Sequence, residues 1–208
     1  MLNPGNNYAL IKQLLLNRLI IVDSIKLLYM ISVICGTNRK NNKSGIIAKY
    51  IYNRLLETQE ETVHYLSMED LPEQIDIHKI YDGESMPESI KQIQDQQLIP
   101  YNRWIIVSPE YNGSFPGILK FFLDMISMRK YKETFAGRHS LLIGVAAGRA
   151  GNLRGMEHLT GFLNYLKIHV FPEKLPISSI SKVIDEDGNI DTGTRETIDG
   201  LLDRFLKG

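Results

Sequence analysis

From Ile31 onward, short apolar runs alternate with helical patterns, and this alternation restricts the possible folds more than any other feature of the chain. Strands are expected at Ile31–Cys35, Thr62–Leu66, Trp104–Val107 and Leu141–Ala146, with a fifth starting at Ile168–Phe171. Between them lie helical stripes. Ile47, Ile51 and Leu55 fall on one helix face, as do Ile118, Leu119, Phe122, Leu123 and Ile126. A polar helix is expected over Glu88–Gln97. Leu153, Met156, Leu159, Leu163 and Leu166 form a further stripe, and Ile198, Leu201, Leu202 and Phe205 the last, with Thr194 as its expected cap. Runs apolar at every position suit parallel strands covered by helices on both faces. Strands that alternate with helices in sequence imply one parallel sheet between two helical layers.

Three of the expected strands end in loops with unusual chemistry. After the first comes Gly36-Thr37-Asn38-Arg39-Lys40-Asn41-Asn42-Lys43-Ser44. A buried strand that feeds a polar loop and a helix N-terminus offers an anion unpartnered N–H groups and the positive end of the helix dipole. Arg39 adds a charged fork of donors, and Thr37, Ser44, Asn38 and Asn42 add hydroxyls and amides. Asn, Ser and Gly are also ordinary turn residues, so a plain turn stands beside the phosphate reading. A P-loop is excluded, because Thr37 and Asn42 occupy its two glycine positions. A dinucleotide fingerprint is excluded too, because Asn38 and Asn41 stand where its second and third glycines belong. After the third strand comes Pro109-Glu110-Tyr111-Asn112-Gly113-Ser114, where Asn112-Gly113 is a hairpin signal but no strand follows. After the fourth comes Ala146-Ala147-Gly148-Arg149-Ala150-Gly151-Asn152. In the flavodoxin-like strand order 2-1-3-4-5, the first, third and fourth strands are adjacent, and their C-terminal ends flank the switch point where ligands bind. The expected fold is therefore an α/β three-layer sandwich with a five-stranded parallel sheet in that order.

Composition narrows the function. Basic and acidic residues balance at 24 each, so broad attraction to nucleic acid or anionic membrane is not expected. The lone Cys35 excludes an internal disulfide framework and suits a reducing, cytoplasmic setting. In a buried strand it reads as an inert thiol. The apolar piece Tyr8–Leu28 is interrupted by Lys12, Arg18, Asp23 and Lys26, so it does not offer the ~20 apolar residues of a membrane span. Residues 1–29 join no motif and are read as an N-terminal extension to a single domain over 30–208, with Met30 directly before the first strand.

Three motifs in order and spacing make residues 30–208 resemble the NADPH-dependent FMN reductase family of quinone, azo-dye and chromate reductases. Gly36-Thr37-Asn38-Arg39 with Ser44 resembles the family's phosphate loop. Pro109 to Ser114, followed by Pro116-Gly117 and Leu119-Lys120, resembles its Pro-Glu-Tyr-Asn-x-Ser-x-Pro-Gly hallmark. Gly148-Arg149-Ala150-Gly151 resembles its glycine-rich flavin loop. The resemblance implies FMN, with its phosphate near Thr37, Asn38, Arg39, Asn42 and Ser44. It places the isoalloxazine against Pro109, Glu110, Tyr111, Asn112 and Gly113, and the third loop, with Gly148 and Arg149, near the ring's other edge. It also implies a homodimer or homotetramer, NADPH or NADH as electron donor, and a small acceptor such as a quinone, free flavin, azo or nitro compound. The chain departs from the pattern at Phe121, Met125, Ala150 and Asn152, where the family commonly has Asn, Trp and two glycines.

Because hydride chemistry belongs to the cofactor, no side chain is assigned as a catalytic acid or base. The rival reading is a flavodoxin-type electron carrier that does not oxidise nicotinamide directly. Such carriers tend to be acidic, and the balanced charge of this chain argues against one.

Overall fold

The computed structural model describes residue 13 and residues 30–59, 63–72 and 75–207. Apart from Gln13, the extension 1–29 lies outside the described residues, as does Thr62 at the start of the expected second strand. In chain order the elements are β1 (Ile31–Cys35), α1 (Lys43–Gln59), β2 (Val63–Ser67) and α2 (Glu88–Ile93), which runs into a π turn over Gln94–Leu98. Next come β3 (Arg103–Pro109), α3 (Gly117–Ser127), α4 (Tyr131–Phe135), β4 (His139–Val145) and α5 (Leu153–Tyr165). The chain closes with β5 (His169–Val170), β6 (Leu175–Ile177), α6 (Ile180–Val183) and α7 (Thr192–Lys207).

The strands pair in parallel in the order β2-β1-β3-β4-β5, with β6 also on β4. Alternation along each strand divides the core into two layers. Ile31, Val33 and Cys35 of β1 join Ile105 and Val107 of β3 and Leu141, Ile143 and Val145 of β4 on one face. That face meets Ile47, Ile51 and Leu55 of α1 and Ile198, Leu201, Leu202 and Phe205 of α7. Ile34, Trp104, Ile106 and Leu142 point to the other face, against Leu119, Phe122 and Leu123 of α3 and Met156, Leu159 and Leu163 of α5. A fully buried side chain of this kind contributes about 1.5–3 kcal/mol. The register Ile34↔Ile106↔Leu142 keeps the layers aligned, since a one-residue slip would reverse every side chain.

Three expectations change in detail. The fifth strand is split. His169 pairs with His139 at the start of β4, the chain leaves the edge, and Leu175 resumes pairing opposite Ile143. Pro172 and Pro176 lack the N–H that a continuous ladder needs, which confines this piece to the sheet edge. The last helix is capped by Asp191 rather than by Thr194. The Asp191 carboxylate accepts from the Thr194 N–H at 2.9 Å and its hydroxyl at 2.7 Å, and the charge favours the helix N-terminus. Leu153 is 50 % exposed at the first turn of α5, and Met156 begins the inward stripe.

The loops after β1, β3 and β4 leave the same edge of the sheet from adjacent strands, and this topology positions the site.

Candidate functional site

The first loop is braced from within. Thr37 is fully buried, and its Oγ1 accepts from the Arg39 N–H at 3.2 Å and bonds the Tyr111 hydroxyl at 2.5 Å. The Asn42 amide donates to the Arg39 carbonyl at 2.7 Å, while its Oδ1 accepts from the Gly45 N–H at 2.6 Å. The Cys35 thiol also donates to that Oδ1, at 3.6 Å. Both polar atoms of the Asn42 side chain therefore shape the loop.

The braces leave a set of donors unspent. Among the described residues, the N–H groups of Asn38 and of Lys40 through Ser44 have no hydrogen-bond partner. Arg39, Lys40 and Lys43 form no ion pair among the described residues. The Arg39 guanidinium lies over the Tyr111 ring, 5.6 Å from its centroid. Unpartnered N–H groups at a helix N-terminus, with unpaired cations around them, fit a phosphate group by the chemistry of the donors present.

The second loop is a tight turn without flanking strands. Tyr111 and Ser114 exchange backbone bonds of 2.8 and 3.0 Å. Asn112 and Gly113 between them have φ of 51° and 76°, the geometry of a type I′ turn. The Asn112-Gly113 signal is thus a local fact, and α3 follows it, as the helical stripe required. The Glu110 N–H donates to the Val145 carbonyl at 3.0 Å, tying this loop to the end of β4.

The third loop is seated by close backbone approach. A Cβ on Gly144 would lie 2.3 Å from the Gly151 carbonyl oxygen. Asn152, where the family commonly has glycine, adopts the left-handed region with φ 66° and is fully buried. Asparagine tolerates that conformation, and its Nδ2 donates to the Ser108 carbonyl at 2.9 Å. The Gly148 carbonyl accepts from the Ser179 N–H at 3.1 Å and the Arg149 carbonyl from the Ser178 hydroxyl at 2.5 Å, so the segment after β6 holds this loop from behind.

A cleft of about 370 Å³ joins the three loops. Of the residues expected at a site, Arg39, Asn42, Ser44, Pro109, Glu110 and Tyr111 line it. Thr37 lies buried behind Tyr111, and Asn38 faces a neighbouring cavity. Asn112, Gly113, Gly148 and Arg149 are outside the cleft lining. Sequence reasoning missed Lys40 and Lys43, although their charges stood in the loop, and missed Ala146, Ala147, Ile180 and Ser181. Ile180 and Ser181 arrive because the Ile180 N–H donates to the Ala146 carbonyl at 3.1 Å, a contact between distant segments that no local pattern announces.

Cys35 is fully buried beneath the first loop, and burial pushes its thiol pKa up, which keeps it protonated and unreactive. Cys35→Ala is expected to cost about 1 kcal/mol of stability and to leave flavin binding intact, as checked by thermal melting and flavin titration. Lost flavin binding in a folded variant would give the thiol a direct role.

The chain belongs to the NADPH-dependent FMN reductase family, whose family model matches residues 29–182. It is 34% identical over 110 residues to an NAD(P)H-dependent FMN reductase of Pseudomonas aeruginosa, covering 51% of this chain and 58% of that protein. It is 32% identical over 112 residues to a 2-hydroxy-1,4-benzoquinone reductase of a Burkholderia species, covering 53% of this chain and 61% of that protein. The chain thus matches about three fifths of the length of these two relatives. The flavoenzyme NAD(P)H:(acceptor) oxidoreductase of Paracoccus denitrificans shares the fold, with a TM-score of 0.67 at 22% identity, over 85% of this chain and 94% of that one.

Proposed function

We propose that the protein is an NAD(P)H-dependent FMN oxidoreductase that passes hydride from a nicotinamide, by way of bound FMN, to a small acceptor such as a quinone, free flavin, azo or nitro compound. One observation carries the reading: the unspent donors and unpaired cations of the first loop open into the same cleft as Pro109, Glu110 and Tyr111. A phosphate and the ring attached to it are held by different chemistry, and the cleft places the two kinds of wall side by side.

FMN, when bound, supplies the two-electron chemistry. The chain supplies binding, orientation and electrostatics. Arg39, Ser44 and the N–H groups of Asn38 and Lys40 through Ser44 would hold the phosphate. The backbone N–H of Ala147, unpartnered among the described residues, belongs to the cleft lining and would be available to hydrogen-bond a ring oxygen or nitrogen and stabilise negative charge there. Thr37 fixes the Tyr111 ring through its hydroxyl, so the wall of the cleft is rigid where the ring would lie. Solvent can supply the proton that accompanies hydride.

The same family pattern supports a cytoplasmic homodimer or homotetramer. Among the described residues no helix is long and apolar enough to cross a membrane. The test of function is flavin retention on purification, followed by bleaching of the flavin absorbance with NADPH or NADH under anaerobic conditions.

A further inference from the structure

Beside the cleft lies a second cavity, about 710 Å³, whose walls are different in kind. Met68, Leu71, Ile75, Ile77, Ile118 and Phe121 line it. Tyr111 and Lys40 line both this cavity and the cleft, so the two adjoin at these side chains. Ile77 at its edge is 65 % exposed. Glu69 also lines it, and it forms no ion pair with Lys40 among the described residues.

The geometry points to this cavity as the specificity pocket for the acceptor, and to an acceptor that is uncharged, aromatic and extended by an aliphatic chain. This rests on the flavin reading above and goes beyond it by choosing among acceptor classes. A single flat ring leaves most of the cavity empty. Met68, Leu71, Ile75, Ile77 and Ile118 give the wall an aliphatic surface that suits an alkyl substituent better than a second stacked ring. The rim carries one positive and one negative group, so an anionic acceptor gains at Lys40 what it loses at Glu69. A neutral carbonyl accepts a hydrogen bond from Lys40 without that loss. For a quinone the reaction balances without another reagent. The quinone takes the hydride that began on the nicotinamide and one proton from solvent, leaving a hydroquinone and the oxidised nicotinamide.

The test uses the FMN-loaded, oxidised protein without nicotinamide, so that a quinone binds and does not react. A series of 1,4-naphthoquinones bearing methyl to pentyl at the 2-position is titrated by calorimetry, with a sulfonated naphthoquinone as the anionic arm. Kd is expected to fall roughly two- to fourfold per added methylene. Ile118→Ser and Phe121→Ser are each expected to flatten that slope, and the sulfonate to bind more weakly than the pentyl compound. A slope near zero in the wild type overturns the assignment. So does a flat slope together with an Ile118→Ser variant that changes from oligomer to monomer on sedimentation, because the cavity is then covered by a second copy of the chain. Failure to retain FMN, read from the flavin absorbance before any quinone is added, overturns the functional reading itself. A flat slope with flavin bound and reducible by NADPH overturns only the acceptor pocket.

Discussion

Arg39→Ala is expected to weaken FMN binding by roughly ten- to a hundred-fold and to leave riboflavin binding nearly unchanged. Riboflavin lacks the phosphate, so the pair of ligands isolates the group that Arg39 is argued to hold. The side chain has no carboxylate partner among the described residues and stands at the rim of a cluster of unpartnered N–H groups. A charge-assisted bond to phosphate is worth about 1.5–3 kcal/mol, and about 1.4 kcal/mol corresponds to one decade in Kd. Arg39 also lies over the Tyr111 ring, and loss of that contact would affect both ligands alike. Arg39→Lys should recover only part of the FMN affinity, since an ammonium cannot form the guanidinium fork. Titration of both flavins by fluorescence quenching reads the difference. Equal losses for FMN and riboflavin would mean that the phosphate lies elsewhere.

Gly144→Ala is expected to be a strongly damaging single-methyl change near the site, lowering stability by about 3 kcal/mol, the upper end of ordinary overpacking costs. The added Cβ would meet the Gly151 carbonyl oxygen at 2.3 Å and both Asn152 Cβ and Met156 Cε at 3.0 Å. The first of these is backbone and cannot rotate away. Gly151 is itself pinned, with φ 57° and Pro176 behind it, so relief must come from displacing the third loop and the start of α5. Flavin affinity should fall along with the melting temperature. Gly148→Ala, whose Cβ would enter open space, is the matched control and should change stability little. Indistinguishable melting of the two variants would show that the loop is not seated by this contact.

The chain announces its sheet because β1, β3 and β4 are buried on both faces, and a strand covered on both sides is apolar at nearly every position. The divided edge was not legible in the same way. Ile168 to Phe171 reads as the start of a strand, and only the tertiary position of Pro172 and Pro176 shows where pairing stops and resumes. The first loop was legible as a donor-rich turn, since residue types alone reveal how many donors are present. They do not reveal how each is spent. Asn42 counts as a donor in sequence, but in the structure it braces the loop through Arg39 and Gly45. Asn112-Gly113 was legible as a turn because its positive φ values are a local requirement. Ile180 and Ser181 could not be foreseen, because they reach the cleft through a contact with Ala146 set by the path of the chain after β6. The second cavity draws Met68, Leu71, Ile75 and Ile77 from the long irregular stretch after β2, where no periodicity signals which side chains turn inward.

The most direct test of the account is the absorbance spectrum of the purified, FMN-incubated protein before and after anaerobic addition of NADPH and, separately, NADH. A flavin spectrum is expected to stay with the protein through gel filtration and to bleach with at least one nicotinamide, then to recover when a quinone is added. Protein that stays colourless after FMN incubation, or bound flavin that neither nicotinamide bleaches, would contradict it.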